Sequence, residues 1–77
     1  MHIRIKYLGQ IVEVTGKEEE TLEVAGGQVS DLLDVLNSKY NQLKNKDFQI
    51  AQNQELVSLE TELTGFEIAL LPPFAGG

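Results

Sequence analysis

Residues 2–8 of the chain read HIRIKYL, and apolar and polar side chains alternate along this stretch. Alternation with a period of two, in a run rich in β-branched and aromatic residues, is typical of a β-strand with one buried face. Ile3, Ile5 and Tyr7 share one face, which we expect to contact the core. The opposite face carries His2, Arg4, Lys6 and Leu8.

The next segment predicts a hairpin. Residues 21–24, TLEV, alternate again and are expected to pair with the first strand. Between the two strands we predict a loop at 9–15, whose apolar residues fold back toward the core. The three glutamates at 18–20 are predicted to form a solvated charge run.

Residues 29–40 predict the main helix. Apolar side chains recur there at helical spacing and form one stripe over about three turns. Gln28 and Ser30 are both able to cap the start of the helix, and the sequence leaves this choice open. A polar loop at 41–47 follows. The apolar stripe consists of Val29, Leu32, Leu33, Leu36 and Tyr40.

Three short strands complete the pattern. Residues 48–51 and 56–59 flank a tight turn at Asn53-Gln54. Residues 67–71, EIALL, form the last strand. Pro72-Pro73 end it, because proline cannot donate a hydrogen bond to a neighbouring strand.

The order of these elements predicts an α+β fold. One helix covers only one face of a sheet, so we expect a mixed sheet of four to five strands with the helix packed across one side. Placing the first and last strands side by side in the middle gives a β-grasp (ubiquitin-like) roll, by fold analogy. The β-grasp domain is predicted to span residues 1–71, and a flexible Gly-Gly tail is predicted at 72–77. The predicted core contains Ile3, Ile5, Leu22, Val24, Leu32, Leu33, Leu36 and Ile68.

Composition narrows the class of partner. The chain has 77 residues, enough for one domain, and a formal net charge of -6. Such a charge disfavours nucleic acid and anionic membranes, and it favours a protein partner with a basic face. There is no cysteine and only one histidine, the exposed His2, so we predict no metal site. No signal-peptide pattern follows Met1, and we expect a soluble cytoplasmic protein.

The most informative segment is LLPPFAGG at 70–77. Two prolines hold the chain extended as it leaves the last strand, so the tail projects from the domain. Glycines lack a Cβ, so the final residues are able to pass through a narrow channel. The reactive group is then the unhindered α-carboxylate of Gly77. Adenylation by another enzyme would activate it, and a sulfur nucleophile would displace AMP and leave a thiocarboxylate.

In these residues the sequence resembles the small subunits of molybdopterin synthase, the sulfur carriers of molybdenum cofactor biosynthesis. The resemblance covers nearly the whole chain and includes the YLGQ stretch at 7–10, the helix at 29–36 and NQELVS at 53–58. Its most specific feature is ALLPPFAGG at 69–77, where a Pro-Pro-x-x-Gly-Gly terminus follows a β-grasp pattern. The thiamin-pathway carriers share Gly-Gly but not usually the double proline.

The resemblance implies a cycle and a set of partners. An E1-like enzyme adenylates Gly77, and a sulfurtransferase system converts it to a thiocarboxylate. The tail, with Phe74, Ala75 and Gly76, then enters the active site of the large synthase subunit. There it donates sulfur to cyclic pyranopterin monophosphate, and two deliveries build the dithiolene. The implied synthase is a heterotetramer, the carrier itself is non-catalytic, and it binds no cofactor.

The resemblance also implies a partner interface at the root of the tail. Leu56 and Leu71 align with positions that contact partners in that family, and Leu8 lies on the strand face away from the predicted core. We expect an apolar patch of Leu8, Leu56, Leu71 and Phe74. The predicted interface as a whole consists of Leu8, Leu56, Leu71, Pro72 and Pro73.

Other functions fit the same residues. The chain could carry sulfur for another pathway of the thiamin type, or could modify proteins through a bond from Gly77 to lysine. It could also be a β-grasp interaction module whose Gly-Gly ending occurs by chance. The sequence does not distinguish a molybdenum from a tungsten cofactor.

Overall fold

A computed structural model describes residues 1–64 and 67–73 of the chain. Gly65, Phe66 and residues 74–77 of the predicted tail lie outside this description. The strands are β1 (His2–Tyr7), β2 (Glu19–Glu23), β3 (Gln49–Gln52), β4 (Glu55–Leu56) and β5 (Glu67–Leu71). The helices are α1 (Ile11–Thr15), α2 (Val29–Lys39) and a 3-10 helix at Asn41–Asn45.

The strands form one mixed five-stranded sheet in the order β2-β1-β5-β3-β4. β1 pairs antiparallel with β2, β3 pairs antiparallel with both β4 and β5, and β1 runs parallel to β5. The first and last strands are therefore neighbours in the centre of the sheet. The predicted β-grasp arrangement, with one main helix, is confirmed.

The buried face of the sheet and the apolar stripe of α2 form the core. Ile3, Ile5 and Ile68 from the central strands are fully buried, as are Leu32 and Leu36 from the helix. Burial of a leucine or isoleucine side chain stabilises the fold by about 1.5–3 kcal/mol. Leu22 and Leu33 are only partly buried and pack against the edge of this core. The fully or almost fully buried set also includes Tyr7, Ile11, Val24, Val29, Leu43 and Leu70.

Both predicted loops contain short helices. Residues 11–15 form α1, which buries Ile11 and ends at Gly16 in a left-handed conformation. Residues 41–45 form the 3-10 helix, which buries Leu43 under the sheet. Each segment has too few apolar residues for a recognisable helical period, so the prediction of irregular loops was wrong.

Two predicted boundaries also change. The strand predicted at 56–59 is observed as β4 at Glu55–Leu56, so its predicted bounds were wrong and residues 57–59 lie outside it. Gln28 is the N-cap of α2, and its backbone N–H donates to Asp31 Oδ2 at 2.9 Å. This bond places a carboxylate in the first helical turn, where the helix dipole favours negative charge.

Glu20 departs most from the prediction of a solvated charge run. Its side chain exposes only 9% of its surface, and Lys39 Nζ lies 2.6 Å from its Oε1. The hydroxyls of Tyr7 and Tyr40 both donate to its Oε2. Glu20 thus joins β1 and β2 to the C-terminal end of α2. Tyr7 and Tyr40 also pack edge to face, with ring centroids 6.2 Å apart.

The environment of Glu20 lowers its pKa. Burial alone would raise the pKa of this carboxyl, but the hydrogen bonds from Lys39, Tyr40 and Tyr7 outweigh burial and bring the pKa to about 2. Because the folded pKa lies below the ordinary value of 4.5, Glu20 stabilises the fold above that pH. This contribution is lost as the pH falls from about 4.5 toward 2.

We expect Glu20→Gln to lower the free energy of unfolding by about 1–3 kcal/mol at pH 7, because buried hydroxyls lose a charged acceptor. Urea denaturation at pH 7 and pH 3 measures this loss, which should be smaller at pH 3. Glu18→Gln is the matched control, since Glu18 is exposed on the same segment. An equal effect of the two substitutions at pH 7 would show that Glu20 does not hold the helix to the sheet.

Candidate functional site

The parallel pairing of β1 with β5 decides where the chain leaves the sheet. Tyr7 pairs with Leu70, and the Leu8 N–H donates to the Leu70 carbonyl at 3.1 Å. Parallel strands end at the same edge of a sheet, so Pro72 emerges beside the end of β1. Pro72 and Pro73 are exposed. The two prolines of the predicted stalk thus begin at the end of the sheet's central strand pair.

Gly9 brings its backbone against this exit. Its φ is +58°, and a Cβ built on it would lie 2.6 Å from Cγ of Pro72. A side chain at this position would overlap the proline ring, so the close contact requires glycine in this conformation. Gly9 and Pro72 therefore define the direction in which residues 72 and 73 leave the domain.

The face of the sheet opposite α2 carries the predicted interface leucines. Across the sheet, Ala69 pairs with Ala51, and Ala51 pairs with Leu56. Cross-strand partners point to the same face, and Leu71 lies two residues beyond Ala69 on that face. We call this set, together with Leu8 beside Leu71, the outer apolar surface: Leu8, Ala51, Leu56, Ala69 and Leu71.

The predicted interface residues differ in exposure. Leu8 is 43% exposed and Leu56 63% exposed, whereas Leu71 is partly buried. The structure places Leu8 and Leu71 together at the root of the tail, and it places Leu56 across the sheet on the far side of Ala51 and Ala69. Phe74, the fourth member of the predicted patch, lies outside the described residues. Predicted roles for Ala75, Gly76 and Gly77 likewise stay predictions.

Charged residues occupy the other half of the same face. Arg4 Nε donates to Glu19 Oε2 at 2.8 Å, and Lys6 Nζ lies 3.4 Å from Glu67 Oε2. These cations already have carboxylate partners on neighbouring strands. The face is therefore divided between paired charges near β2 and apolar side chains near the tail.

Sequence reasoning missed Leu59. Its side chain is 47% exposed, although the sequence suggested a strand residue at this position. The sequence predicted a strand at 56–59, but β4 ends at Leu56 and Leu59 lies outside it. A strand-like period alone therefore does not show which of these leucines reaches solvent.

Two other kinds of feature were sought in the described residues, a metal site and a membrane-spanning helix. Within 1–64 and 67–73, no three His, Asp or Glu side chains are grouped closely enough to hold a metal ion. His2 is exposed and lies 3.6 Å from Glu23 Oε2. Over the same ranges, none of the helices has the length and apolar character needed to cross a bilayer.

Comparison with known proteins places this geometry in a family. The protein-family model described as ThiS family matches residues 5–77 of the chain. The chain belongs to the ThiS family. Among curated relatives, the molybdopterin synthase sulfur carrier subunit of Chlamydomonas reinhardtii is 34% identical over 83 residues, and the match spans 100% of both chains.

Solved structures give the same fold. A Pyrococcus furiosus protein assigned as molybdopterin converting factor, subunit 1, has a TM-score of 0.86 at 25% identity, with 94% of this chain and 97% of that chain covered. Small archaeal modifier protein 1 of Haloferax volcanii has a TM-score of 0.82 at 25% identity, with 100% of both chains covered. The complex of subunits 1 and 2 of the Helicobacter pylori molybdopterin-converting factor matches with a TM-score of 0.71 at 27% identity and 100% coverage of both chains.

These matches confirm the resemblance seen in the sequence. The curated ThiS-family relative carries the name of the predicted family, and two of the structures are converting-factor proteins. The β-grasp fold is confirmed by the same neighbours. The Helicobacter pylori protein is itself in complex with a second subunit.

We expect Gly9→Ala to change the exit of the tail as well as the stability of the domain. Alanine in the left-handed conformation costs about 1–2 kcal/mol, and its Cβ must also displace Pro72. Gly16→Ala is a matched control, because Gly16 has a φ of +77° but nothing within 4 Å of a built Cβ. Urea denaturation should show a loss of stability in both variants. Only Gly9→Ala should shift the ¹³C resonances of the Pro72 and Pro73 rings, and unchanged ring resonances would contradict the proposed contact.

Proposed function

We propose that this protein is the sulfur-carrier small subunit of a molybdopterin synthase and that the α-carboxylate of Gly77 is the group that carries sulfur. The observation that carries the proposal is the position of Pro72-Pro73, which extend β5 away from the sheet beside an exposed apolar surface. A ThiS-family chain with this ending has a stalk for a reactive terminus and a surface on which other proteins can dock.

The chemistry needs no catalytic group in the carrier. The Gly77 carboxylate oxygen attacks the α-phosphorus of ATP in an E1-like enzyme, and pyrophosphate leaves. Hydrosulfide supplied by a sulfurtransferase system attacks the acyl carbon, the bond from that carbon to the AMP oxygen breaks, and AMP leaves as the thiocarboxylate forms. Each step is driven by a partner and by ATP. The carrier is therefore a non-catalytic subunit that holds no cofactor of its own.

Sulfur delivery then takes place in the large subunit of the synthase. The chain from Phe74 to Gly77 passes into that active site, where small residues at 75–77 fit a narrow channel. The thiocarboxylate sulfur is transferred to cyclic pyranopterin monophosphate, and two carriers complete one dithiolene. Two carriers on a dimer of large subunits give a heterotetramer, and this chemistry belongs in the cytoplasm.

The outer apolar surface is the proposed docking site for these partners. Leu8, Leu71 and the two prolines surround the base of the stalk, and Leu56 extends the surface across the sheet. Exposed apolar side chains of this kind commonly form the centre of a protein interface. The net charge of -6 adds long-range attraction to a partner with a basic face.

Removal of Gly77 should abolish sulfur loading and leave the fold intact. Incubation of the intact chain with ATP, the activating enzyme and a sulfur source should increase its mass by about 16 Da, as sulfur replaces oxygen. The chain lacking Gly77 should show no increase, while its thermal unfolding should match the parent because the buried core described above lies within residues 3–70. Gly27→Ala is a control for loading, since an added Cβ meets nothing within 4 Å there.

Other results would point to other functions. A ladder of larger, lysine-linked species in place of the mass increase would identify a protein modifier. No mass change with the cognate activating enzyme would favour a non-covalent interaction module. Unfolding of the chain that lacks Gly77 would show that the tail is structural.

A further inference from the structure

A groove of about 530 Å³ lies beside β3, at the edge of the sheet where β4 ends. Phe48, Ile50 and Val57 are among the apolar residues that line it. Two of the large apolar side chains that are exposed in residues 1–64 and 67–73, Leu56 and Leu59, line this groove. The groove is therefore mainly apolar and open to solvent.

The edge of β3 is incompletely paired along the groove. β4 pairs with β3 only at Ala51 and Gln52, and the Ile50 carbonyl accepts one further bond from the Val57 N–H at 3.0 Å. Backbone groups of alternate residues in an antiparallel strand point to the same side. Phe48 directly precedes β3, so continuing this alternation by one residue places its backbone at the same edge as that of Ile50, beyond the two-residue strand β4. An extended chain could add to this edge.

The wall of the groove is held in place by α2. The Ser30 N–H donates to the Leu59 carbonyl at 3.0 Å, and the Val29 N–H donates to the Thr61 carbonyl at 2.9 Å. Ser58 N–H also donates to Thr61 Oγ1 at 3.2 Å. The first turn of the helix thus fixes the loop that presents Leu59. A preorganised apolar side chain loses little entropy when a partner covers it.

Charges around the groove favour a basic partner. Glu60 is exposed and lines the groove, and the exposed Glu55 adjoins Leu56, which also lines it. Lys46 and Asp47 both line a separate recess beside Pro72 and Pro73. A second copy of a chain with net charge -6 would bring carboxylates against carboxylates. A segment with flanking lysine or arginine complements the rim instead.

We propose that this groove binds an extended segment of the large synthase subunit, apolar at alternate positions and flanked by lysine or arginine. The segment adds to the open edge of β3, and its apolar side chains cover Leu56 and Leu59. A stable protein interface buries about 800 Å² of surface on each partner. The leucines at the root of the tail offer a smaller area than this. Leu56 belongs to both the outer apolar surface and the groove, so the two form one continuous interface. This inference rests on the proposed function.

Binding of the purified large subunit tests the groove. Leu59→Ser in the full chain should raise the Kd at least about tenfold, a change of about 1.4 kcal/mol. Leu59→Met should keep the affinity within about twofold, since it preserves an apolar side chain of similar volume. Thermal unfolding of both variants should stay near the parent, because the substituted side chain is already half exposed. Equal Kd values for Leu59→Ser and the parent would overturn the proposal.

Hydrogen exchange separates strand addition from simple apolar contact. In the complex, the Phe48 amide should exchange more slowly than in the free carrier, because the added strand covers it. Unchanged exchange at Phe48 would overturn the strand assignment. If the carrier forms dimers by itself and Leu59→Ser abolishes them, the occupant of the groove is a second copy of the chain and the proposed large-subunit segment is rejected.

The mass assay distinguishes failure of the groove from failure of the proposed function. If Gly77 gains sulfur and the parent binds the large subunit, equal binding by Leu59→Ser rejects the groove alone. If the chain neither gains mass nor binds the large subunit, both proposals are rejected. If Gly77 gains sulfur but the chain does not bind the large subunit, the large subunit is rejected as the occupant of the groove. That result would indicate a sulfur carrier of another pathway.

Discussion

The parallel pairing of β1 with β5 is the constraint on which the rest of the structure depends. It joins the two ends of the chain in the middle of the sheet, where Ile3, Ile5 and Ile68 fill the core beneath α2. It also fixes the point at which the last strand leaves the sheet, beside Leu8 and Gly9. A terminus attached to an edge strand would move with the edge, whereas this one begins from the best-packed part of the domain. A carrier that inserts its terminus into another protein benefits from such a rigid base.

Few elements of the domain hold its main helix, α2, in place. It has no cysteine and therefore no disulfide, so apolar burial and hydrogen bonds supply the stability. Glu20 complements the core by joining two tyrosine hydroxyls and Lys39 at the end of α2. The start of the same helix is fastened to the loop at 58–61 through backbone bonds. Both ends of α2 are thus fixed, one to the β1-β2 hairpin and one to the loop that carries Leu59.

The two faces of the sheet have different tasks. The inner face is closed by α2 and serves stability, so its side chains are unavailable to a partner. The outer face lacks a covering helix among the described residues, and its apolar half lies at the root of the tail. The paired charges of Arg4 and Lys6 occupy the remainder of that face, and the apolar half is the proposed docking surface. Under the proposed function, partners supply ATP and sulfur, so the carrier itself needs only a stalk, a terminus and a surface.

The sequence by itself determined the class of fold, the central strands, the main helix and the Gly-Gly ending. These features depend on local patterns: alternation in 2–8 and 67–71, helical spacing in 29–40, and prolines that stop a strand. Most of the predicted core followed from the same periods, and the family resemblance came from residues that are contiguous in the chain. Leu8 and Leu56 of the predicted interface are exposed side chains, and their role in an interface stays a prediction.

Only the tertiary structure decided how distant residues meet. Glu20 looked like one of three solvated glutamates until Tyr7 and Tyr40, far apart in the chain, were brought to it. Leu43 lies in a segment that was predicted to be a polar loop. Its burial depends on how the 3-10 helix packs against the core. The contact of Gly9 with Pro72 and the groove at Leu59 likewise join segments that no short pattern connects. Periodicity reports which side of an element a residue occupies, but the elements that cover that side are set by long-range packing.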